Sequence, residues 1–132
     1  MIGVDTNVLV RVFVRASDPE TAAALRFLSE RTTDEPAFVS VVVLVELTWV
    51  LKRSYGASPE AIFIVLDGLL ESSNVAVERS EEIEEAVAMA KAERADVADC
   101  IIAAMARMAG AERTVTFDRK AAKRIPGMEL LA

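Results

Sequence analysis

The sequence contains no histidine and only one cysteine, Cys100. Without imidazole, Ser-His-Asp triads and histidine-ligated zinc sites are excluded, and a single thiol can form neither an internal disulfide nor a thiolate zinc site. The phosphate-binding patterns GxGxxG and GxxxxGK[ST] are missing, as is the nucleophile pattern GxSxG. If the protein is an enzyme, its chemistry therefore depends on carboxylates, and a hard metal ion with oxygen ligands would suit them.

The chain also lacks a Pro/Gly/Ser-rich linker, an internal repeat and a long uninterrupted apolar run. Apolar residues make up 53% of the 132 positions and are spread from end to end, which predicts a single domain over residues 1–132. The longest apolar stretch, residues 37–51, contains Ser40, Glu46 and Thr48 and is too short and too polar to cross a bilayer. With no signal-peptide pattern, we expect a soluble cytoplasmic protein without membrane contact.

The formal net charge of −6 argues against general affinity for nucleic acid, which normally leaves a basic footprint. It does not exclude a local basic patch. Acids clustered in one site would also contribute to the negative total.

Short apolar runs alternate with longer periodic ones, which predicts an α/β fold. We predict strands at residues 2–4, 37–40, 75–77, 114–117 and 128–131, and helices at 7–14, 19–31, 41–55, 59–72, 80–94, 96–110 and after 118. Residues 41–55 are rich in valine, but their length and Gly56 at the end favour a helix. In a parallel sheet of this kind, ligands bind beyond the carboxyl ends of the strands, where Asp5 and Asp118 would both lie.

Glu46 is the most informative acidic residue. On a helix its neighbours three and four positions away are Val42, Val43, Trp49 and Val50, all apolar. A carboxylate on an apolar stripe is unfavourable unless it has a partner, which favours a functional role over a solvated side chain.

Asp5 and Asp118 each follow a predicted strand and precede a predicted helix. Capping the helix N-terminus is a sufficient explanation for either residue alone, and a functional role is equally open. Thr116 is either an ordinary strand residue or a polar contact near the acids, and we favour the contact.

Asp96 and Asp99 stand in ADVADCIIAAMA, at the start of a predicted helix. Asp96 can cap that helix while Asp99 sits in its first turn, where the helix dipole favours an acid. For Asp96, capping and function remain equally open. Asp99 directly precedes the apolar Cys100-Ile101-Ile102, which favours a functional role at the edge of the core.

Taken together, four acids stand at element ends or on apolar faces in a chain with no other catalytic groups. They are Asp5, Glu46, Asp99 and Asp118. Crowded carboxylates repel one another unless a cation compensates. Mg²⁺ or Mn²⁺ suits such a site, because it keeps several waters and leaves positions for phosphate oxygens.

The segments VDTNVLVR, ADVADCIIAA and TFDRKAAK, with Glu46 in a helix after a short strand, resemble PIN domains. Within that family they resemble the VapC-type ribonuclease toxins of prokaryotic toxin–antitoxin pairs. The resemblance covers essentially the whole chain. It implies a three-layer α/β/α sandwich with a central parallel sheet of four to five short strands, and Mg²⁺- or Mn²⁺-dependent cleavage of single-stranded or structured RNA.

The resemblance also assigns roles to particular residues. The catalytic and metal-binding quartet falls on Asp5, Glu46, Asp99 and Asp118, the supporting positions on Thr6, Asn7 and Thr116, and a frequent extra acid on Asp96. Relatives commonly form homodimers and are silenced by a small VapB-like antitoxin. Phosphate contacts or ordinary solvated charges are equally open for the basic residues Arg11, Arg15, Arg119, Lys120, Lys123 and Arg124.

Two other classes of protein remain open. A phospho-accepting signalling domain is also acidic and α/β, but it needs paired acids after the first strand, where Asp5 is followed by Thr6-Asn7. A non-catalytic PIN-like binding module is possible too, although it has no reason to keep all four acids.

Overall fold

The computed structural model describes residues 1–132, which fold as two compact units, Met1–Ser80 and Glu81–Ala132. The first unit contains three strands and four helices. In chain order they are β1 (Ile2–Gly3), α1 (Thr6–Phe13), α2 (Pro19–Ser29), β2 (Ala37–Val39), α3 (Val41–Tyr55), α4 (Pro59–Glu71) and β3 (Val75–Val77).

The strands of the first unit form a parallel sheet in the order β1-β2-β3. Ile2 pairs with Ala37, and Ala37 in turn pairs with Val75, so β2 is the central strand. Its inward residues, Ala37 and Val39, are completely buried. Because parallel strands point the same way, the segments that leave them toward α1 and α3 begin at one edge of this sheet.

Helix α3 forms despite its valines because the capping residues at its two ends and the apolar residues along one face all favour a helix. Ser40 caps it by accepting a hydrogen bond from the backbone N–H of Val43 at 3.2 Å. At the other end Gly56 adopts the left-handed conformation (φ 62°) that terminates helices. Leu44, Leu47 and Leu51 are buried at helical spacing, so packing against the core decides the conformation.

The second unit contains three helices and two strands. They are α5 (Ser80–Glu93, which starts at the last residue of the first unit), α6 (Val97–Met108), β4 (Thr114–Thr116), α7 (Arg119–Arg124) and β5 (Met128–Leu130). Strands β4 and β5 are parallel, with Thr116 opposite Leu130. The connection between them is α7, which packs against both strands.

The predicted α/β class with parallel strands is confirmed. Every predicted element is present, with ends that differ by one or two residues, and hydrogen bonding divides the strands into a sheet of three and a sheet of two. The single domain over residues 1–132 stays a prediction. None of the helices has the length and apolar character that crossing a membrane requires.

Alanine should have opposite effects on stability when it replaces the glycine at the end of α3 and the glycine inside α4. Gly56→Ala forces a side chain into a left-handed conformation and should lower the free energy of unfolding by about 1–2 kcal/mol. Gly68, in the interior of α4, has open space at its Cβ position. Gly68→Ala should therefore raise the free energy of unfolding by about 0.5–1 kcal/mol. Urea unfolding of both variants measures this, and equal signs would contradict it.

Candidate functional site

Asp5 lies just beyond β1 and caps helix α1. Its backbone is extended (φ −79°, ψ 156°), and its carboxylate oxygen Oδ1 accepts a hydrogen bond from the Thr6 backbone N–H at 2.8 Å. The side chain is exposed. Thr6 itself is buried, and its hydroxyl has no hydrogen-bond partner. The cap fixes one carboxylate oxygen of Asp5 and leaves the second outside that hydrogen bond.

The three strands of the first unit all end in oxygen-bearing side chains that serve helix N-termini. Asp5 follows β1 and Ser40 follows β2 at equivalent positions of the parallel register. Glu78 follows β3, and its Oε1 accepts a hydrogen bond from the backbone N–H of Val41 at 2.9 Å. Sequence reasoning missed this role of Glu78, although an acid directly after a strand repeats the pattern of Asp5 and Asp118.

Glu46 lies in the second turn of α3 and is exposed. Its apolar neighbours Val42 and Trp49 are 77% and 55% exposed, so the apolar stripe that they share with Glu46 is open to solvent. The unfavourable burial that favoured a function for Glu46 is therefore absent. Its place in the acidic quartet stays a prediction that depends on the family resemblance alone.

Arg11 is bound by two carboxylates of its own unit. Its guanidinium contacts Oδ2 of Asp18 at 2.8 Å and Oε2 of Glu20 at 2.9 Å. Asp18 also caps α2 through the Thr21 backbone N–H, and this hydrogen bond together with the Arg11 cation holds the pKa of Asp18 below its ordinary value of 3.8. A phosphate at Arg11 would have to compete with both acids.

An open groove of about 540 Å³ lies between α1 and α2 and brings several predicted site residues together. Its lining includes Asp5, Asn7 and Arg11, together with Glu20 and Phe27 of α2. Arg15 is not part of the groove lining, and its Nε donates to the carbonyl of Val12 at 3.3 Å.

In the second unit, Asp96 and Asp99 are joined at the start of α6. Asp96 caps the helix, because its Oδ1 accepts a hydrogen bond from the backbone N–H of Asp99 at 3.0 Å. Asp99 is half-buried in the first turn. Burial, together with the charges of Asp96 and Asp99, raises the pKa of the neighbouring Cys100 thiol to about 11. A raised pKa lowers the share of the nucleophilic thiolate at neutral pH, and the buried Cys100 has the character of a structural cysteine.

Asp118 follows β4 and caps α7, as Asp5 follows β1 and caps α1. Its Oδ1 accepts from the backbone N–H of Ala121, and its own N–H donates to the hydroxyl of Thr116, both at 3.0 Å. Thr116 therefore holds the turn in which Asp118 stands, and its supporting role in the site stays a prediction. Among the basic residues of α7, Arg119, Lys120 and Lys123 are exposed, and Arg124 donates to the Arg94 carbonyl at 2.6 Å.

The four predicted acids divide evenly between the two units. Asp5 and Glu46 belong to Met1–Ser80, and Asp99 and Asp118 belong to Glu81–Ala132. No group of three or more Asp, Glu or Cys side chains is placed so that it could hold a metal ion. The catalytic and metal-binding roles of the quartet stay predictions.

These features define an α/β protein with carboxylates at the ends of parallel strands. The PIN domain family matches residues 2–127, nearly the whole chain, and the protein belongs to that family. No curated protein matches the chain significantly. The PIN domain is a nuclease family, so the chain is assigned as a nucleic-acid nuclease, a hydrolase. A phospho-accepting signalling domain is not supported.

Asp118 allows capping to be separated from charge. Asparagine caps as well as aspartate, so Asp118→Asn should change the free energy of unfolding by no more than a few tenths of a kcal/mol. Asp118→Ala removes the acceptor for the Ala121 N–H and should lower that free energy by about 1 kcal/mol. Guanidinium unfolding of the two variants is the measurement. An equal loss in both would show that the carboxylate charge, and not the cap, stabilises α7.

Proposed function

We propose that the protein is a metal-dependent endoribonuclease that cleaves single-stranded or structured RNA and acts as the toxin of a toxin–antitoxin pair. The observation that carries the proposal is the matched pair of strand ends. In a chain of a nuclease family with no histidine, Asp5 and Asp118 each follow a parallel strand and are oriented by a cap.

The chemistry of the donor groups fits Mg²⁺ or Mn²⁺. Asp5, Glu46, Asp99 and Asp118 offer only carboxylate oxygens, the ligands that these ions prefer. In Asp5 and Asp118 the cap uses one oxygen, and the exposed side chain offers the other to a hydrated cation. When bound, the ion lowers the pKa of water and stabilises charge on a phosphodiester.

The remaining residues position these acids and the substrate. Thr116 and Asp96 fix the turns that carry Asp118 and Asp99, and the Thr6 N–H fixes Asp5. Arg119 and Lys120 are exposed beside Asp118 and are the cations best placed along the chain to bind phosphate there.

The proposal predicts RNA cleavage that requires a divalent ion. Wild-type protein should cleave single-stranded RNA with Mg²⁺ or Mn²⁺, stop with EDTA and leave 5′-phosphate ends, since no histidine can activate the ribose 2′-hydroxyl. Asp99→Asn should lose at least about 100-fold in rate, because it removes one negative ligand, and should weaken the rise in melting temperature caused by Mn²⁺. Gel assays and thermal unfolding measure both.

Asp34→Asn is the matched control, because it removes the same charge from an exposed loop outside the predicted quartet. It should cleave at the wild-type rate. Expression of the wild type, but not of Asp99→Asn, should arrest cell growth. We expect a small antitoxin gene immediately upstream, and its co-expression should relieve the arrest. Cyclic phosphate ends, or an Asp99→Asn variant that cleaves normally, would contradict the proposal.

We also propose a homodimer that uses exposed apolar residues of α3 and leaves the carboxylate of Glu46, which shares their helix face, open to the site. Val42 and Trp49 are mostly exposed on that face, and burying such a patch against a second chain is favourable. The VapB-like antitoxin is the second partner, and the groove that contains Asp5 is the surface it would cover to stop cleavage.

Val42→Lys tests the dimer directly. Because Val42 is exposed, lysine at this position should not disturb folding. Its charge in the interface should shift the mass measured by light scattering from that of a dimer toward that of a monomer. Ile64→Lys is the control, since Ile64 is similarly exposed (73%) but lies on α4. A wild type that is monomeric at micromolar concentration would refute the dimer.

A further inference from the structure

Phe117 is the most exposed aromatic residue of the chain. It is 75% exposed, compared with 55% for Trp49 and 53% for Tyr55. It occupies the turn between β4 and α7, directly between Thr116 and Asp118. Most of its ring lies in water, so burial in the core does not account for its position.

The backbone on both sides of Phe117 is fixed by hydrogen bonds. The Thr116 carbonyl accepts from the N–H of Leu131 at 2.8 Å, and the Thr116 hydroxyl accepts from the N–H of Asp118 at 3.0 Å. The Asp118 carboxylate is bound in turn to the N–H of Ala121. The ring is therefore presented from a defined turn beside Asp118, which limits the entropy lost when something binds to it.

The charges around the ring favour an anionic partner with aromatic groups. Phe27 and Trp49 already hold guanidinium groups of this chain over their rings, Arg31 at 4.6 Å and Arg53 at 5.1 Å. Phe117 has no such group over its ring, and the two residues that follow Asp118, Arg119 and Lys120, are exposed cations. An exposed aromatic ring followed closely along the chain by two exposed cations is complementary to a base and its phosphates.

We propose that Phe117 stacks on a base of single-stranded RNA next to the phosphate cleaved at Asp118, while Arg119 and Lys120 contact the adjoining phosphates. This inference depends on the proposed ribonuclease function and adds a residue that binds and selects its substrate. An unpaired strand is required, because the bases of a duplex are already stacked on one another and cannot receive the ring.

Phe117→Ala should weaken binding of a fluorescent single-stranded oligonucleotide by about five- to a hundred-fold, the range known for loss of one base–aromatic stack. Anisotropy in EDTA measures the dissociation constant without cleavage. In cleavage assays KM should rise by a similar factor while kcat stays within about two-fold. Phe117→Trp should keep wild-type binding, and its added fluorescence should fall when the oligonucleotide binds. Val115, two residues earlier on β4, is 49% exposed, and Val115→Ala should bind like the wild type.

The outcomes separate this inference from the ribonuclease proposal. If Phe117→Ala has the wild-type dissociation constant and KM, the inference is overturned and the ribonuclease proposal is unaffected. The same holds if the variant changes only the light-scattering mass, because Phe117 would then contact protein and not RNA. If the wild type binds RNA through Phe117 but never cleaves it, the stacking of Phe117 on a base stands, whereas the ribonuclease proposal and the position next to a cleaved phosphate both fail. If the wild type neither binds nor cleaves single-stranded RNA, both are overturned.

Discussion

Each helix that follows a strand begins with backbone N–H groups that need hydrogen-bond acceptors from outside the helix, and the chain has to supply them. Asp5 meets that requirement for α1, Ser40 for α3 and Asp118 for α7. Each stands within two residues of the end of a parallel strand, where the sheet can no longer supply acceptors. The fold thus needs polar side chains at the positions where α/β proteins bind their ligands.

Capping and metal binding are therefore compatible roles for one carboxylate. A cap uses one oxygen, restricts the rotamer and leaves the negative charge in place. The two explanations that compete for Asp5 and Asp118 in the sequence are both admissible in the structure, because the cap is observed and the second oxygen is outside it. Asp96 differs in kind, since its observed role is to hold the N–H of Asp99 and so to set the turn of another acid.

Local chemistry made much of this structure predictable from the sequence. Apolar periodicity, Pro19 and Pro59 at first helical positions and Gly56 at a helix end gave the elements to within one or two residues. Contacts between distant positions were not predictable in the same way. Glu78 reaches the start of α3 across 37 residues, and Arg11 closes on Asp18 across a loop.

Glu46 shows a second limit of sequence reasoning. Helical spacing correctly placed Glu46 among valines and a tryptophan, but spacing cannot tell whether a face is covered. The valine and leucine positions of α3 were divided by the fold, with the leucines buried and Val42 left exposed. The sequence could therefore not tell whether the carboxylate of Glu46 is buried; the exposure of its helix face is known only from the folded structure.

The electrostatics of the chain then constrain how it can bind an anionic polymer. With a net charge of −6 it cannot depend on a general positive field, and Arg11 is already neutralised by Asp18 and Glu20. Positive charge is concentrated instead in α7, where four of the six residues RKAAKR are basic, directly after Asp118. Few phosphates can be neutralised by so short a helix, so counterion release gives limited affinity. Stacking of a base on an exposed ring depends little on salt. An aromatic residue next to the basic helix α7 can therefore add the affinity that its few phosphate contacts do not supply.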